Sequence, residues 1–182
     1  MMKTGERGLI CVLSGEGKGK TCAAVGMAVR ARAYGKKVCF VSFHKNPGKS
    51  LYGEYACMKT LGIDLFFFAG RHPACRMSRG KCSKKTLTAQ CEKGRKFLQE
   101  LFKADEYEMI VIDEILICVR DGFLSEKQVV ELMEKKPGKT YLVLTGRGLT
   151  RKIKKKADLV SEIKEVKHPF KQGLCARRGI DF

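Results

Sequence analysis

A chain of 182 residues suits one domain, and its 44% hydrophobic content supplies a core, which excludes a disordered protein. No apolar run approaches the roughly 20 residues of a membrane helix, and the polar start Met1-Met2-Lys3-Thr4-Gly5-Glu6-Arg7 lacks a signal-peptide pattern, so a soluble cytoplasmic protein is expected. The formal charge of +18 calls for an anionic partner, and the nine cysteines, an odd number without a secretion signal, are expected as reduced thiols.

In chain order, Gly8–Leu13 is a short apolar run suited to a strand buried on both faces, and Lys20–Tyr34 is an Ala-rich helix stopped by Gly35. Val38–Phe43 reads as the second strand. A loop with Asn46-Pro47-Gly48 follows, then a helix over Glu54–Leu61 and a Phe-rich strand over Ile63–Ala69. Gly70–Ser83 is loop. Lys84–Lys103 has helical spacing, with Leu87, Cys91, Phe97, Leu98, Leu101 and Phe102 on one broad face. Met109–Ile112 is a fourth strand, Ser125–Lys135 a helix with Ser125 as N-cap, and Tyr141–Thr145 a fifth strand. Leu149–Lys156 is a short basic helix, Leu159–Val166 a last strand, and an irregular tail follows. Cys11, Cys22, Cys39 and Cys118 fall inside these elements, where a free thiol acts as a small hydrophobe. Strands separated by helices imply one α/β domain over residues 1–182. Its sheet is mostly parallel with helices on both faces, P-loop NTPase-like (RecA-like), and it binds ligands beyond the carboxyl ends of the strands.

The sharpest motif is Ser14-Gly15-Glu16-Gly17-Lys18-Gly19-Lys20-Thr21, placed after a buried strand and opening a helix. Glycines let successive backbone N–H groups turn inward onto phosphate oxygens, and the helix start adds the positive end of its dipole. Lys20 supplies a point charge and Thr21 a hydroxyl for Mg²⁺. The general pattern wants Gly where Ser14 stands, so this is a variant loop. Its bland alternative, a glycine turn before a helix, does not ask for Gly-Lys-Thr. Residues 15–21 are therefore expected to bind ATP or another nucleoside triphosphate. Asp113 and Glu114, ending the fourth strand, match the acidic partner of such a loop and are expected to hold the metal or its water shell. Arg147, in Thr145-Gly146-Arg147-Gly148 after the fifth strand, would reach the same edge.

The ordered set of the loop at 15–21, the Ala-rich helix with Arg30, Asp113-Glu114-Ile115 and Thr145-Gly146-Arg147-Gly148 covers most of the chain. It continues with Ala157-Asp158-Leu159-Val160-Ser161-Glu162, Val166-Lys167-His168-Pro169-Phe170 and the ending Gly179-Ile180-Asp181-Phe182. Together these resemble the ATP:corrinoid adenosyltransferases of the bacterial cobalamin-pathway type. The resemblance implies a homodimer in which the Co(I) of a reduced corrinoid attacks the 5′ carbon of ATP and tripolyphosphate leaves. A reductase supplying Co(I) is a possible partner. No protein nucleophile is implied, because the substrate cobalt is the nucleophile. Lys20 and Mg²⁺ on Thr21 and Glu114 would serve the leaving group, with Arg30 a contact near the corrinoid and Arg147 lining the site. His168, held before Pro169, reads as structural or site-lining.

Two features depart from that family pattern. Many members carry an N-terminal extension over the corrinoid, whereas few residues precede the first strand here. The middle loop usually carries aromatics including Trp, and this chain has no Trp. Enclosure of the corrinoid is thus expected to differ, with Phe66, Phe67, Phe68 or Met77 as apolar candidates whose expected role is nonetheless core packing. The middle loop instead holds His72, Cys75 and Cys82, with Cys57 or Cys91 nearby in sequence, ligand types for Zn²⁺ or an iron–sulfur cluster that lack a close C-x-x-C pair. Scattered reduced thiols are the competing account of them. The charge leaves a nucleic-acid-stimulated P-loop ATPase as the alternative function. It is disfavoured because the basic runs at Arg76–Lys85 and Arg151–Lys156 carry few aromatics. A corrinoid-binding relative without turnover is a third reading.

Overall fold

Six apolar runs become six strands, and the reason is local: each is short, rich in β-branched or aromatic residues, and bounded by glycine or a polar turn. A computed structural model describes residues 7–45, 52–70, 82–175 and 177–180. Strands β1 (Ile10–Ser14), β2 (Val38–Phe43), β3 (Asp64–Phe68), β4 (Met109–Asp113), β5 (Tyr141–Gly146) and β6 (Leu159–Glu162) form one sheet in the order β3-β2-β4-β5-β1-β6. Every pairing is parallel, so the expected mostly parallel sheet is wholly so among the described residues. One strand, β5, separates β1, which leads into the glycine-rich loop, from β4, which ends in Asp113.

Alternate residues of each strand serve two cores. Cys11, Leu13, Val38, Phe40, Val111 and Val143 face helices α1 (Lys20–Ala33) and α2 (Gly53–Thr60). Ile10, Val12, Val41, Ile110, Ile112, Leu142 and Leu144 face the other layer. That layer comprises α3 (Lys84–Ala104), α4 (Ile115–Arg120), α5 (Glu126–Glu134) and α6 (Arg151–Lys156). Helix α1 meets the sheet through Ala24, Ala28 and Ala31, small enough for close approach. Helix α5 starts with the expected Ser125 cap, completed as a capping box by Gln128.

Two expectations change. Helix α4 is absent from the sequence reading because Ile115–Arg120 spans under two turns, too short for periodicity to register. The last strand ends at Glu162 rather than Val166, because β6 is an edge strand paired with β1 only as far as Ser14, where β1 itself stops.

Candidate nucleotide site

The glycine-rich loop begins where β1 ends. Gly17 N donates to the Ile163 carbonyl at 2.7 Å, and Ile163 N donates to the Ser14 carbonyl at 2.7 Å, so the loop is braced by the segment leaving β6. A side chain at Gly15 or Gly17 would lie 2.4 or 2.5 Å from the carbonyl oxygens of Ile163 or Lys164, and Gly15 also has φ +116°; both positions need glycine for space. Lys20 is buried, its ammonium donating to the Gly15 and Gly17 carbonyls at 2.6 Å each. Burial lowers its pKa, Glu114 and Glu16 oppose that, and Arg147 and Lys45 add to it. Glu16 and Lys18 are on the exposed side of the loop.

Thr21, the first-turn hydroxyl of α1, donates to Asp113 Oδ1 at 3.0 Å across the sheet edge. Asp113 is fully buried and also accepts from Thr145 at 2.6 Å and from Ser42 at 3.4 Å. Glu114 turns the chain from β4 into α4 with a left-handed backbone, φ 62°, while its N–H donates to Thr145 Oγ1 at 3.0 Å. The expected pair of acids and the loop hydroxyl therefore meet.

Lys45 completes this group, and sequence reasoning missed it. Its ammonium lies 2.5 Å from Thr21 Oγ1, 2.9 Å from Asp113 Oδ2 and 3.3 Å from Glu114 Oε1. Burial works against the charged form, but Asp113 and Glu114 outweigh it and hold the Lys45 pKa above its usual range. The one available signal was position, two residues beyond β2 on the carboxyl edge. Hard oxygen donors from Thr21, Asp113 and Glu114 already converge on one cationic atom, and Glu114 Oε2 is buried without a hydrogen-bond partner. Such a donor set fits Mg²⁺.

Arg147 also reaches the loop, its Nη2 donating to the Glu16 carbonyl and its Nε pairing with the Glu16 carboxylate, both at 3.3 Å. Beside it opens a cavity of about 490 Å³ lined by Glu16, Glu162, Lys164, Glu165 and Lys171. Arg30 is not part of this group. It is exposed in the last turn of α1, and ten residues of helix carry it about 15 Å from Lys20.

His72, Cys75 and Met77 lie outside the described residues. Cys82 is an exposed free thiol before α3, and Cys57 is exposed on α2. Phe66 and Phe68 pack against Phe97 of α3, with ring centroids 4.5 and 5.2 Å away, so they are core on the α3 side of the sheet. Phe67 packs against Tyr55 on the opposite side.

A family model described as ATP:corrinoid adenosyltransferase BtuR/CobO/CobP matches residues 6–182. The chain is 34% identical over 177 residues to the corrinoid adenosyltransferase of Escherichia coli (strain K12), covering 97% of this chain and 87% of that protein. Identity to corrinoid adenosyltransferase CobA of Salmonella typhimurium is also 34%, with the same coverage. A corrinoid adenosyltransferase of a Sinorhizobium species is 34% identical over 99% of this chain and 83% of its own length.

Proposed function

The chain belongs to the ATP:corrinoid adenosyltransferase family, and from that premise we propose that it transfers the 5′-deoxyadenosyl group of ATP to the Co(I) of a corrinoid. A cobalt–carbon bond forms, the bond between C5′ and the α-phosphate oxygen breaks, and tripolyphosphate leaves. The observation that carries this reading is the family match along nearly the whole chain, joined to a phosphate loop whose lysine, threonine and acidic partners share one sheet edge.

The residues have a consistent division of labour. Backbone N–H groups of the loop at residues 15–21, apart from that of Gly17, which Ile163 takes, hold the triphosphate together with the start of α1, and Lys20 neutralises charge growing on it as the carbon–oxygen bond breaks. The same grip fixes the direction in which C5′ faces, which is the alignment a displacement at carbon requires. Thr21, Asp113 and Glu114 would hold Mg²⁺, which when bound supplies further charge stabilisation to the leaving triphosphate. Lys45 balances the two acids, and Arg147 orders the exposed side of the loop through Glu16. The role of Arg30 toward the corrinoid rests on family likeness. A reductase delivering Co(I) and a cytoplasmic setting, where ATP is available, complete the reading.

Anaerobic incubation with ATP, Mg²⁺, a chemical reductant and cobalamin is expected to give a light-sensitive adenosylated product and one tripolyphosphate per product. Release of ADP and phosphate without corrinoid, stimulated by DNA or RNA and suppressed by salt, would move the protein to the nucleic-acid ATPase reading. Corrinoid binding without product would make it a relative that has lost turnover.

A further inference from the structure

A second set of groups lies behind the nucleotide edge, and nothing in the adenosyl-transfer chemistry uses it. His44 leaves β2, Cys91 stands on α3 and Cys118 on α4, and all three are buried. Cys118 Sγ is 3.4 Å and Cys91 Sγ 3.8 Å from the same atom, His44 Nε2, and the two sulfurs are 3.6 Å apart. We propose that His44, Cys91 and Cys118 form a binding site for one thiophilic closed-shell cation, Zn²⁺.

The triangle has the size that zinc needs. Bonds of about 2.3 Å to sulfur and about 2.0 Å to nitrogen, at tetrahedral angles, put two sulfurs about 3.8 Å apart and sulfur about 3.5 Å from nitrogen. The sulfur–sulfur separation of 3.6 Å falls a little short of its target and the two sulfur–nitrogen separations of 3.4 and 3.8 Å lie either side of theirs, so the ion fits with shifts of a few tenths of an ångström. Two thiolates and an imidazole are the soft and borderline donors that select zinc over magnesium or calcium. Binding would release the two thiol protons to solvent and take the lone pair of neutral His44 at Nε2. Three protein ligands leave the fourth tetrahedral position for a water molecule.

Backbone strain is an independent observation. His44 has φ 59°, a left-handed conformation that costs a non-glycine residue about 1–2 kcal/mol. That strained turn is where the imidazole passes into the core and meets both sulfurs, beside Phe123 at 5.2 Å. An apolar residue there would keep the same backbone strain and lose both sulfur contacts, whereas histidine is among the residues that tolerate the left-handed region. The location also has a consequence for the nucleotide edge. His44 adjoins Lys45, and Cys118 lies one helical turn beyond Glu114. An ion joining the two would fix the exit of β2 against α3 and α4. Of the ligand types singled out in the sequence it uses Cys91 alone, joined by His44 and Cys118.

The test uses the full-length protein, produced with added zinc, purified anaerobically with a reductant and passed through a chelator-containing gel-filtration step. One equivalent of Zn²⁺ per chain is expected, and none in His44→Asn, Cys91→Ser or Cys118→Ser. Asn tolerates the left-handed backbone, so H44N removes the ligand without adding strain. Cys57→Ser and Cys82→Ser are expected to keep the full equivalent. Should the buried variants fail to fold, X-ray absorption of the zinc-loaded wild type decides, with two sulfur neighbours and the remainder nitrogen or oxygen expected. A wild type that retains no zinc, a different sulfur count, or zinc loss in H72A, C75S or C82S with retention in the three buried variants would overturn the assignment.

Discussion

Lys45 is tied to three oxygens that the sequence associates only with a metal. Removing it leaves two carboxylates facing each other, one of them wholly buried, without their nearest cation. A buried pair that loses one partner costs about 3–5 kcal/mol, and the partial exposure of Lys45 reduces that to about 1–3 kcal/mol. Lys45→Ala is therefore expected to lower the denaturant midpoint of the free protein, and millimolar Mg²⁺ to restore part of the loss, because the ion takes the place of the ammonium among the same oxygens. The comparison of variant and wild type with and without Mg²⁺ checks it. A midpoint unchanged by the substitution would show that the acids are not held by this lysine. Lys45 illustrates why side-chain identity in a loop says little about role. Apart from its place just past β2, nothing in Phe43-His44-Lys45-Asn46 marks the lysine, and the pairing of β2 beside β4 is what brings it to Asp113.

At the scale of elements, α3 crosses the edge of the sheet at Gly94. A Cβ there would fall 2.6 Å from the Phe43 ring and 2.8 Å from that of Phe68. Gly94→Ala gains helix propensity, but the two rings sit in a packed core, so overpacking of about 1–3 kcal/mol wins. A thermal melt is expected to show a lower midpoint. The same helix is joined to α5 through Glu92, which accepts from Arg95 and from Gln128 Nε2 at 3.1 Å. The Arg95 guanidinium holds the Glu92 pKa below the usual carboxylate range. Because the folded pKa lies below the unfolded value, the stabilisation is present above about pH 4.3 and is lost as pH falls through the folded pKa. Glu92→Gln is expected to cost about 0.5–1 kcal/mol at neutral pH, given its partial exposure, and nothing near pH 2. Urea titrations at both pH values read the difference. Most strands and long helices were legible because burial on both faces and amphipathic spacing leave strong patterns. Helix α4 and the end of β6 were not, since one is too short to be periodic and the other is bounded by its neighbour's length.

For the whole molecule, ligand binding and folding are linked. The proposed MgATP site draws on the loop after β1, α1 and the end of β4, which come together only in the folded sheet, so saturating nucleotide is expected to raise stability by about 2.7 kcal/mol at 100 times its dissociation constant. Lys20→Ala is expected to abolish most of that shift, read against the variant's own unliganded melt because the substitution also removes the hydrogen bonds to the Gly15 and Gly17 carbonyls. An equal shift in the variant would remove Lys20 from triphosphate binding. The alternation of strands and helices, the glycine-rich loop and the acidic pair were legible without a fold, because each is written in contiguous residues whose chemistry and spacing are local. Tertiary structure alone decided the strand order that puts β5 between loop and acids, the entry of Lys45 into their group, and the separation of Arg30 from it. It also decided the meeting of His44 with Cys91 and Cys118 across three elements. Those facts depend on which strands pair and where helices cross, and residues dozens of positions apart carry no mark of having been brought within hydrogen-bonding distance.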